Sequence, residues 1–330
     1  MALYGVGEIS TLIAKELLRR GVDIVSAVDV AEEKVGKDLG EILGLPRRLG
    51  LKIAGNIKEG LKGVKPDIVV HATASSLSQV YPQVSECLKL GVNVISTCEE
   101  LVYPYWKDKA SADRLDELAK ENQVSVLATG INPGFLMDTL PIVMTCPCLE
   151  VEKIKVTRVM NSGKRRFAYQ RKVGTGLTLE EFKEKIESKE ITGHVGLDVS
   201  TAMIADAIGW KLDDIVETKP EPVIADETIR TSYTVIKKGS VAGLKSIAYG
   251  IKDGEERIEL SFISHAGVKE EYDCIEIEGE PGIKMKIEGG VHGDAGTAAV
   301  IINSIPKLLN APPGLHTMKD LPLPSAASTI

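Results

Sequence analysis

The sequence predicts an α/β protein: a Rossmann-type, doubly wound parallel sheet, followed by an α+β domain with a mostly antiparallel or mixed sheet. Three observations carry this prediction. Short apolar runs alternate with helical stretches over the first half, a glycine turn joins the first run to the first helix, and from Val151 several strand-like runs follow one another with few helices between them.

Ala2, Leu3 and Tyr4 form a first strand. Gly5-Val6-Gly7-Glu8-Ile9-Ser10 then turns into a helix that runs to Arg20, and residues 22–29 form a second strand ending in Asp29. Gly5 permits the tight turn, Gly7 lets the backbone approach a pyrophosphate, and amides at the helix start, around Glu8 and Ile9, bind its charge. Ser10 stands where a third Gly or Ala is usual. Asp29 lies at the spacing where a carboxylate accepts hydrogen bonds from the adenosine ribose, which favours NAD over NADP, while Lys34 or Lys37 could accommodate a 2′-phosphate. A tight turn without any ligand would use the same glycines. Only four residues precede Gly5, so the first strand is expected to be short or to begin upstream of Met1.

Residues 68–73 read as a strand that stops at small polar residues, with Ala72 and Thr73 expected beside the cofactor. His71, among apolar neighbours, reads as a packed residue. A helix over 80–90 ends at Gly91, and residues 92–97 form the next strand, followed by Thr97, Cys98 and the adjacent acids Glu99 and Glu100. A helix over 110–122 and a strand over 124–129 continue the alternation. Helices of this length between strands imply right-handed parallel crossovers, so the turns converge on one edge of the sheet, where such folds place their chemistry. Thr97 and Cys98 are expected there too, as cofactor contacts.

In the second half, residues 153–159 alternate as a strand with one wet face, and 223–235, 241–250, 257–265 and 272–280 are strand-like. Helices are expected over 179–188 and near 199–208, and a last helix opens at residues 292–297 and runs to Leu309. The expected division is 1–145 for the nucleotide-binding domain, 146–292 for an α+β substrate and dimerisation domain, and 293–330 for a helix and tail returning to the first domain.

With 330 residues, 43% of them hydrophobic, the chain is long enough for two substantial cores. A net charge of −7 without a basic tract argues against a nucleic-acid or membrane partner. No apolar run approaches the roughly 20 residues of a bilayer span, and no signal peptide is visible, so a cytoplasmic location is expected. Cys87, Cys98, Cys146, Cys148 and Cys274 are scattered and read as reduced thiols. Cys146-Pro147-Cys148 lacks the spacer and partner ligands of a metal pair, and no metal is expected.

Residues 127–141, which include Gly130-Ile131-Asn132-Pro133-Gly134-Phe135, together with 96–101, 155–158, 193–196 and 311–315, resemble the 2,4-diaminopentanoate dehydrogenase family. That family is a branch of the dihydrodipicolinate-reductase-like proteins that also contains amine dehydrogenases. The resemblance spans nearly the whole chain and departs at the short amino terminus and at Ser10. It implies oxidative deamination of the C4 amine of 2,4-diaminopentanoate with NAD or NADP, giving 2-amino-4-oxopentanoate and ammonium, in ornithine breakdown. A related amine dehydrogenase acting on another amine or ketone would share these features. A non-catalytic cofactor sensor would keep Gly5, Gly7 and Asp29 without needing the acid pair, and a dihydrodipicolinate reductase would carry paired histidines, which this sequence lacks.

Hydride can leave C4 only when its nitrogen is neutral, and hydrolysis of the resulting iminium needs an activated water, so one glutamate over the nicotinamide could serve both steps. Thr97-Cys98-Glu99-Glu100 also fits a capping box in which Glu100 bonds back to the Thr97 amide, although Tyr103-Pro104 leaves room for only a very short helix. The turn is similar to the Glu-Lys-Pro turn of glucose-fructose oxidoreductase-like enzymes, and that similarity assigns Glu100 as base and Glu99 as its neighbour.

A diamino acid substrate needs further contacts. Asn132 and Asp138 flank Phe135. Asp138 is expected to pair with the C2 ammonium or to serve as a helix amino-terminal acid, and Phe135 to wall the pocket beside the C5 methyl. Lys164, Arg165 and Arg166, or Arg171 and Lys172, offer donors for the carboxylate. His194, between glycines, is a substrate contact or a buried structural residue. Residues 172–176 are expected to close over the site on glycine hinges, with Thr297 and Asn303 contributing if the last helix folds back. A homodimer through the second domain's sheet is expected.

Overall fold

The computed structural model describes residues 1–165 and 167–326. The chain forms two compact units, Met1–Phe135 together with the segment from His292 onward, and Leu136–Val291.

The first unit begins β1 (Ala2–Tyr4), α1 (Glu8–Arg19), β2 (Ser26–Val28), the short α2 (Leu39–Ile42) and α3 (Ile57–Gly60), β3 (Ile68–His71), α4 (Leu77–Lys89), β4 (Asn93–Ser96), α5 (Pro104–Lys107), α6 (Lys109–Glu121) and β5 (Ser125–Ala128). α1 shows why these helices form. Ser10, Ile13, Ala14 and Leu17 make one buried stripe, with Glu8 in the first turn and Arg19 in the last, each suited to the helix dipole there.

The second unit contains α7 (Thr139–Met144), β6 (Glu150–Asn161), α8 (Phe167–Lys172), α9 (Leu179–Glu187), α10 (Leu197–Ala207), β7 (Asp214–Glu217), β8 (Glu221–Ile224), β9 (Ile229–Arg230), β10 (Val235–Ile236), β11 (Val241–Lys252), β12 (Glu255–His265), β13 (Tyr272–Glu280) and β14 (Ile283–Glu288). Its large sheet runs β14-β13-β6-β12-β11-β7, with β8 also on β11. The pairing is antiparallel except for β6 with β12, so the sheet is mixed. α10 is buried along most of its length and packs on β11 and β12. Because α7 groups with α10, the division falls after Phe135 and not after residue 145.

The chain then returns to the first unit as α11 (Gly293–Leu309) and β15 (Gly314–His316). The completed sheet is parallel throughout, in the order β15-β5-β4-β3-β1-β2. Helix-covered parallel strands are buried on both faces, which is why they read as continuous apolar runs. The strand order reverses between β1 and β3, and open α/β sheets bind ligands in the crevice beyond the strand ends at such a point. Among the described residues, no helix is long and apolar enough to cross a membrane.

Candidate active site

The turn after β1 is built on two glycines with different demands. Gly5 has φ of +87°, and a Cβ there would lie 2.3 Å from the Ala72 carbonyl oxygen, so the protein itself requires glycine. Gly7 has φ of −89°, open to any residue, and no protein atom lies within 4 Å of an added Cβ. A ligand that approaches the backbone supplies the reason for a glycine that internal packing does not need. Exposed Glu8 and half-buried Ile9 follow in the first turn of α1, with Ser10 buried beneath.

Asp29, just past β2, accepts from the amides of Val6 (2.7 Å) and Ala31 (2.9 Å) and from the Lys34 ammonium (3.0 Å). Burial pushes its carboxyl up, but these donors outweigh it and hold the carboxyl below its ordinary value. Asp29 therefore braces the glycine turn. After β3, the exposed Thr73 donates to Gln83 Oε1 at 2.6 Å. His71 is fully buried, with Nδ1 2.9 Å from Ser96 Oγ and Nε2 2.7 Å from Gln83 Oε1. Burial lowers its pKa to about 4, leaving a neutral, packed residue.

The turns after β3 and β4 are joined by Glu100 N donating to Ser75 O. Thr97 is half-buried at this edge. Cys98 is a core residue instead of the expected cofactor contact. Its side chain is fully buried, burial pushes the thiol up to about 12, its amide donates to Ser96 Oγ and its carbonyl accepts from Leu101 N.

The two acids differ in their partners. Glu100 Oε2 accepts from Leu77 N at 2.7 Å, the first amide of α4, and Oε1 lies 3.9 Å from Lys107 Nζ. The capping box at Thr97 is not formed, since the Thr97 amide donates to His71 O. Glu100 thus caps α4 and braces the turn, with a helix-start amide and an ammonium drawing its charge. Glu99, also half-buried, has no hydrogen-bond or ion-pair partner for its carboxylate among the described residues. Of the two, Glu99 is the one whose carboxylate makes no bond within the protein among the described residues.

After β5 the chain folds back on itself. Gly134 has φ of +122°, and a Cβ there would meet Gly130 N at 2.4 Å. Ile131 N donates to Thr297 Oγ1 at 3.3 Å, so the first turn of α11 fixes the loop that carries the half-buried Asn132 and Phe135. Asn303 is also half-buried, further along α11.

In the second unit, Asp138 is fully buried; it caps α7 through the Thr139 amide (2.5 Å) and accepts from Ser200 Oγ (2.7 Å). These bonds give it the capping role and withdraw it as a substrate contact. Across β13, β6, β12 and β11, Asp273, Arg158, Phe262 and Ser246 stand in one row. Arg158 donates to Asp273 Oδ1 (2.8 Å) and to Val291 O (2.6 Å). Burial pushes the Asp273 carboxyl up and the Arg158 guanidinium down, so each depends on the other to stay charged. His194 stacks on Phe262 with ring centroids 4.2 Å apart. Burial, then the charges of Lys172 and Arg158, lower its pKa to about 3, and it is neutral.

The predicted basic cluster is dispersed. Lys164 is exposed and pairs with Glu271, Arg165 is buried over the Tyr169 ring, and Arg171 lies over Phe167. Arg166 lies outside the described residues. In the 172–176 segment Val173 and Gly174 are buried, Gly174 lies against Phe182, Gly176 N donates to Val241 O, and Lys172 is exposed.

A family model described as the 2,4-diaminopentanoate dehydrogenase C-terminal domain matches residues 135–329. A 2,4-diaminopentanoate dehydrogenase of Acetoanaerobium sticklandii is 37% identical, over 98% of this chain and 93% of that protein. This chain belongs to the 2,4-diaminopentanoate dehydrogenase family. It is an oxidoreductase that acts on an amine. Among solved structures, the amine dehydrogenase from Mycobacterium smegmatis matches with a TM-score of 0.85 at 27% identity, over 100% of this chain and 97% of that one. A dihydrodipicolinate reductase from Paenisporosarcina sp. TG-14 shares the fold, with a TM-score of 0.54 at 13% identity over 97% of each chain.

Several structural partners in this 2,4-diaminopentanoate dehydrogenase family member had no assigned role at the level of sequence. Arg158 carries a readable signal. It continues the inward register of Ile154 and Val156, and a charge in a buried register must be paired. Ser200 and the Leu77 amide carry none, because a hydroxyl in a helix or a backbone N–H has no signature of its own.

Proposed function

We propose that this protein deaminates 2,4-diaminopentanoate oxidatively at C4 with a nicotinamide cofactor, NAD or NADP, and that Glu99 is the base. The family match supports the substrate class, and one observation carries the chemistry. Glu99 presents an unengaged carboxylate in the turn after β4, at the same edge of the sheet as the turn after β1, where Gly7 leaves space for a ligand against the backbone.

The residues around Gly7, Ala72 and Asp29 fit a dinucleotide, with the amides at the start of α1 taking the pyrophosphate charge. A bound nicotinamide would supply the acceptor for the hydride that leaves C4. Glu99 takes the proton from the substrate ammonium, making the nitrogen lone pair available, and releases it to solvent; as carboxylate again it takes a proton from the water that adds to the carbon–nitrogen double bond and passes it to the departing nitrogen. Ammonia leaves as ammonium. Substrate ammonium, water and oxidised cofactor thus become ketone, ammonium, reduced cofactor and one proton. Glu100 acts through position by holding the turn against α4. Asn132 and Phe135, on the loop after β5, are the side chains proposed for substrate recognition. Asp138, buried as a cap, does not distinguish a diamino acid from a simple amine. A homodimer belongs to the same reading.

The test is reduction of NAD+ and of NADP+ by 2,4-diaminopentanoate and by an alkylamine of similar size without a carboxylate, using wild type, Glu99→Gln and Glu100→Gln. Glu99→Gln is expected to lower kcat by about 10²- to 10⁴-fold. Glu100→Gln is expected to lose less. No turnover of the diamino acid by wild type would remove the substrate, and full activity in Glu99→Gln would move the base elsewhere.

A further inference from the structure

The nucleotide turn carries a feature that the oxidation chemistry does not use. An acid at the end of the second strand discriminates against a 2′-phosphate through its negative charge. In this protein that charge is already paired. Asp29 Oδ1 is taken by the Ala31 amide, while Oδ2 is shared between the Val6 amide and the Lys34 ammonium at 3.0 Å. The Asp29 side chain is 10% exposed and that of Lys34 25%, so the ammonium marks the solvent side of the pair. Asp29 is the sole hydrogen-bond acceptor of Lys34 Nζ among the described residues, and an ammonium has three protons to donate. The same loop carries Glu32, Glu33 and Lys37, all exposed, with no side-chain partner for any of them among the described residues.

From this arrangement we infer that Lys34 is the specificity-determining residue at the ribose end: it neutralises Asp29 and supplies the donors that let the site accept a 2′-phosphate, so that NADP binds as well as NAD. This rests on the nicotinamide reading above. A 2′-hydroxyl asks for an acceptor, which Asp29 Oδ1 retains through its second lone pair, and it loses little if Lys34 is absent. A 2′-phosphate needs a cation, and without Lys34 it faces an uncompensated carboxylate. Removing the lysine therefore acts on one cofactor.

Equilibrium binding of NADP+ and NAD+ by titration calorimetry, with no substrate present, tests this on wild type, Lys34→Ala, Lys34→Arg and Lys37→Ala. Lys34→Ala is expected to weaken NADP+ by roughly 10- to 100-fold and NAD+ by less than about 3-fold. Lys34→Arg is expected to keep NADP+ within about 5-fold of wild type, since it preserves the cation. An unchanged NADP+/NAD+ ratio in Lys34→Ala, an equal loss of both cofactors, or a loss that follows Lys37→Ala would overturn the inference. Wild type binding NAD+ alone would also overturn it, with the nicotinamide reading intact. Binding of neither cofactor would remove that reading as well.

Discussion

In the first unit, polar groups gather in turns beyond the strand ends and leave the Glu99 carboxylate unengaged and the space over Gly7 open. In the second, Arg158 with Asp273 and Asp138 with Ser200 are buried and satisfy one another inside the packing. The contrast separates two uses of charge. A carboxylate left without a protein partner is available to substrate, whereas a buried pair fixes the arrangement of strands and helices around it. Substitution of Glu99 should change chemistry at little cost in stability, and substitutions at the second unit's pairs should do the reverse.

The sharpest way to break this contrast is Glu99→Gln. A loss of about 10²- to 10⁴-fold in kcat with an unchanged urea midpoint is expected, and a large fall in stability would show that Glu99 is structural after all. Asp273→Ala comes next. Leaving Arg158 buried without its acid should cost about 3–5 kcal/mol in urea unfolding, while the double change Arg158→Met with Asp273→Leu should recover much of it. Recovery of nothing would mean that the pair does more than satisfy itself.

The two glycines sharpen the comparison within one turn. Gly5→Ala must displace the Ala72 carbonyl and hold alanine at positive φ, so a fall of about 2 kcal/mol or more in stability is expected. Gly7→Ala should leave thermal unfolding unchanged and weaken nucleotide binding in calorimetry. Equal behaviour of the two would remove the ligand argument for Gly7.

A smaller effect follows from His71. Its folded pKa, about 4, lies below the ordinary histidine value, so the unfolded chain binds the proton more readily between the two. Stability is complete above about pH 6.5 and falls as the pH drops toward 4, by about 2 kcal/mol between pH 6.5 and 5 for a group this depressed. His71→Gln should flatten that slope in denaturant titrations, and an unchanged slope would place the acid sensitivity elsewhere.

Much of the first unit was legible because its strands are covered on both faces. The apolar residues of β3, β4 and β5 are all buried, Gly5 and Asp29 mark the ends of β1 and β2, and Gly91 precedes β4. β14 and β15 were not read. The first carries a readable signal, the alternation Ile283-Lys284-Met285-Lys286-Ile287-Glu288, whereas the second is only three residues long and has none. The 223–235 stretch resolves into β8, β9 and β10, because its polar residues interrupt pairing. At the site, sequence located the acid pair but not its division of labour. The deciding partner of Glu100 is a backbone amide 23 residues away, and only the packing of two turns brings it there. Asp138 illustrates the same limit, since a helix-capping acid and a ligand-binding acid look alike until Ser200 is placed beside it.

The return of the chain to the first unit has a consequence for biosynthesis. β15 adds the last strand beside β5, Leu315 N is held by Asp116, and α11 packs on α1. The segment made first therefore finishes its sheet with residues made near the end of the chain, after every strand of the second unit has been synthesised. A ribosome-bound chain that has passed Val291 can hold a complete second unit while β5 still shows an unpaired edge of the kind that recruits other strands.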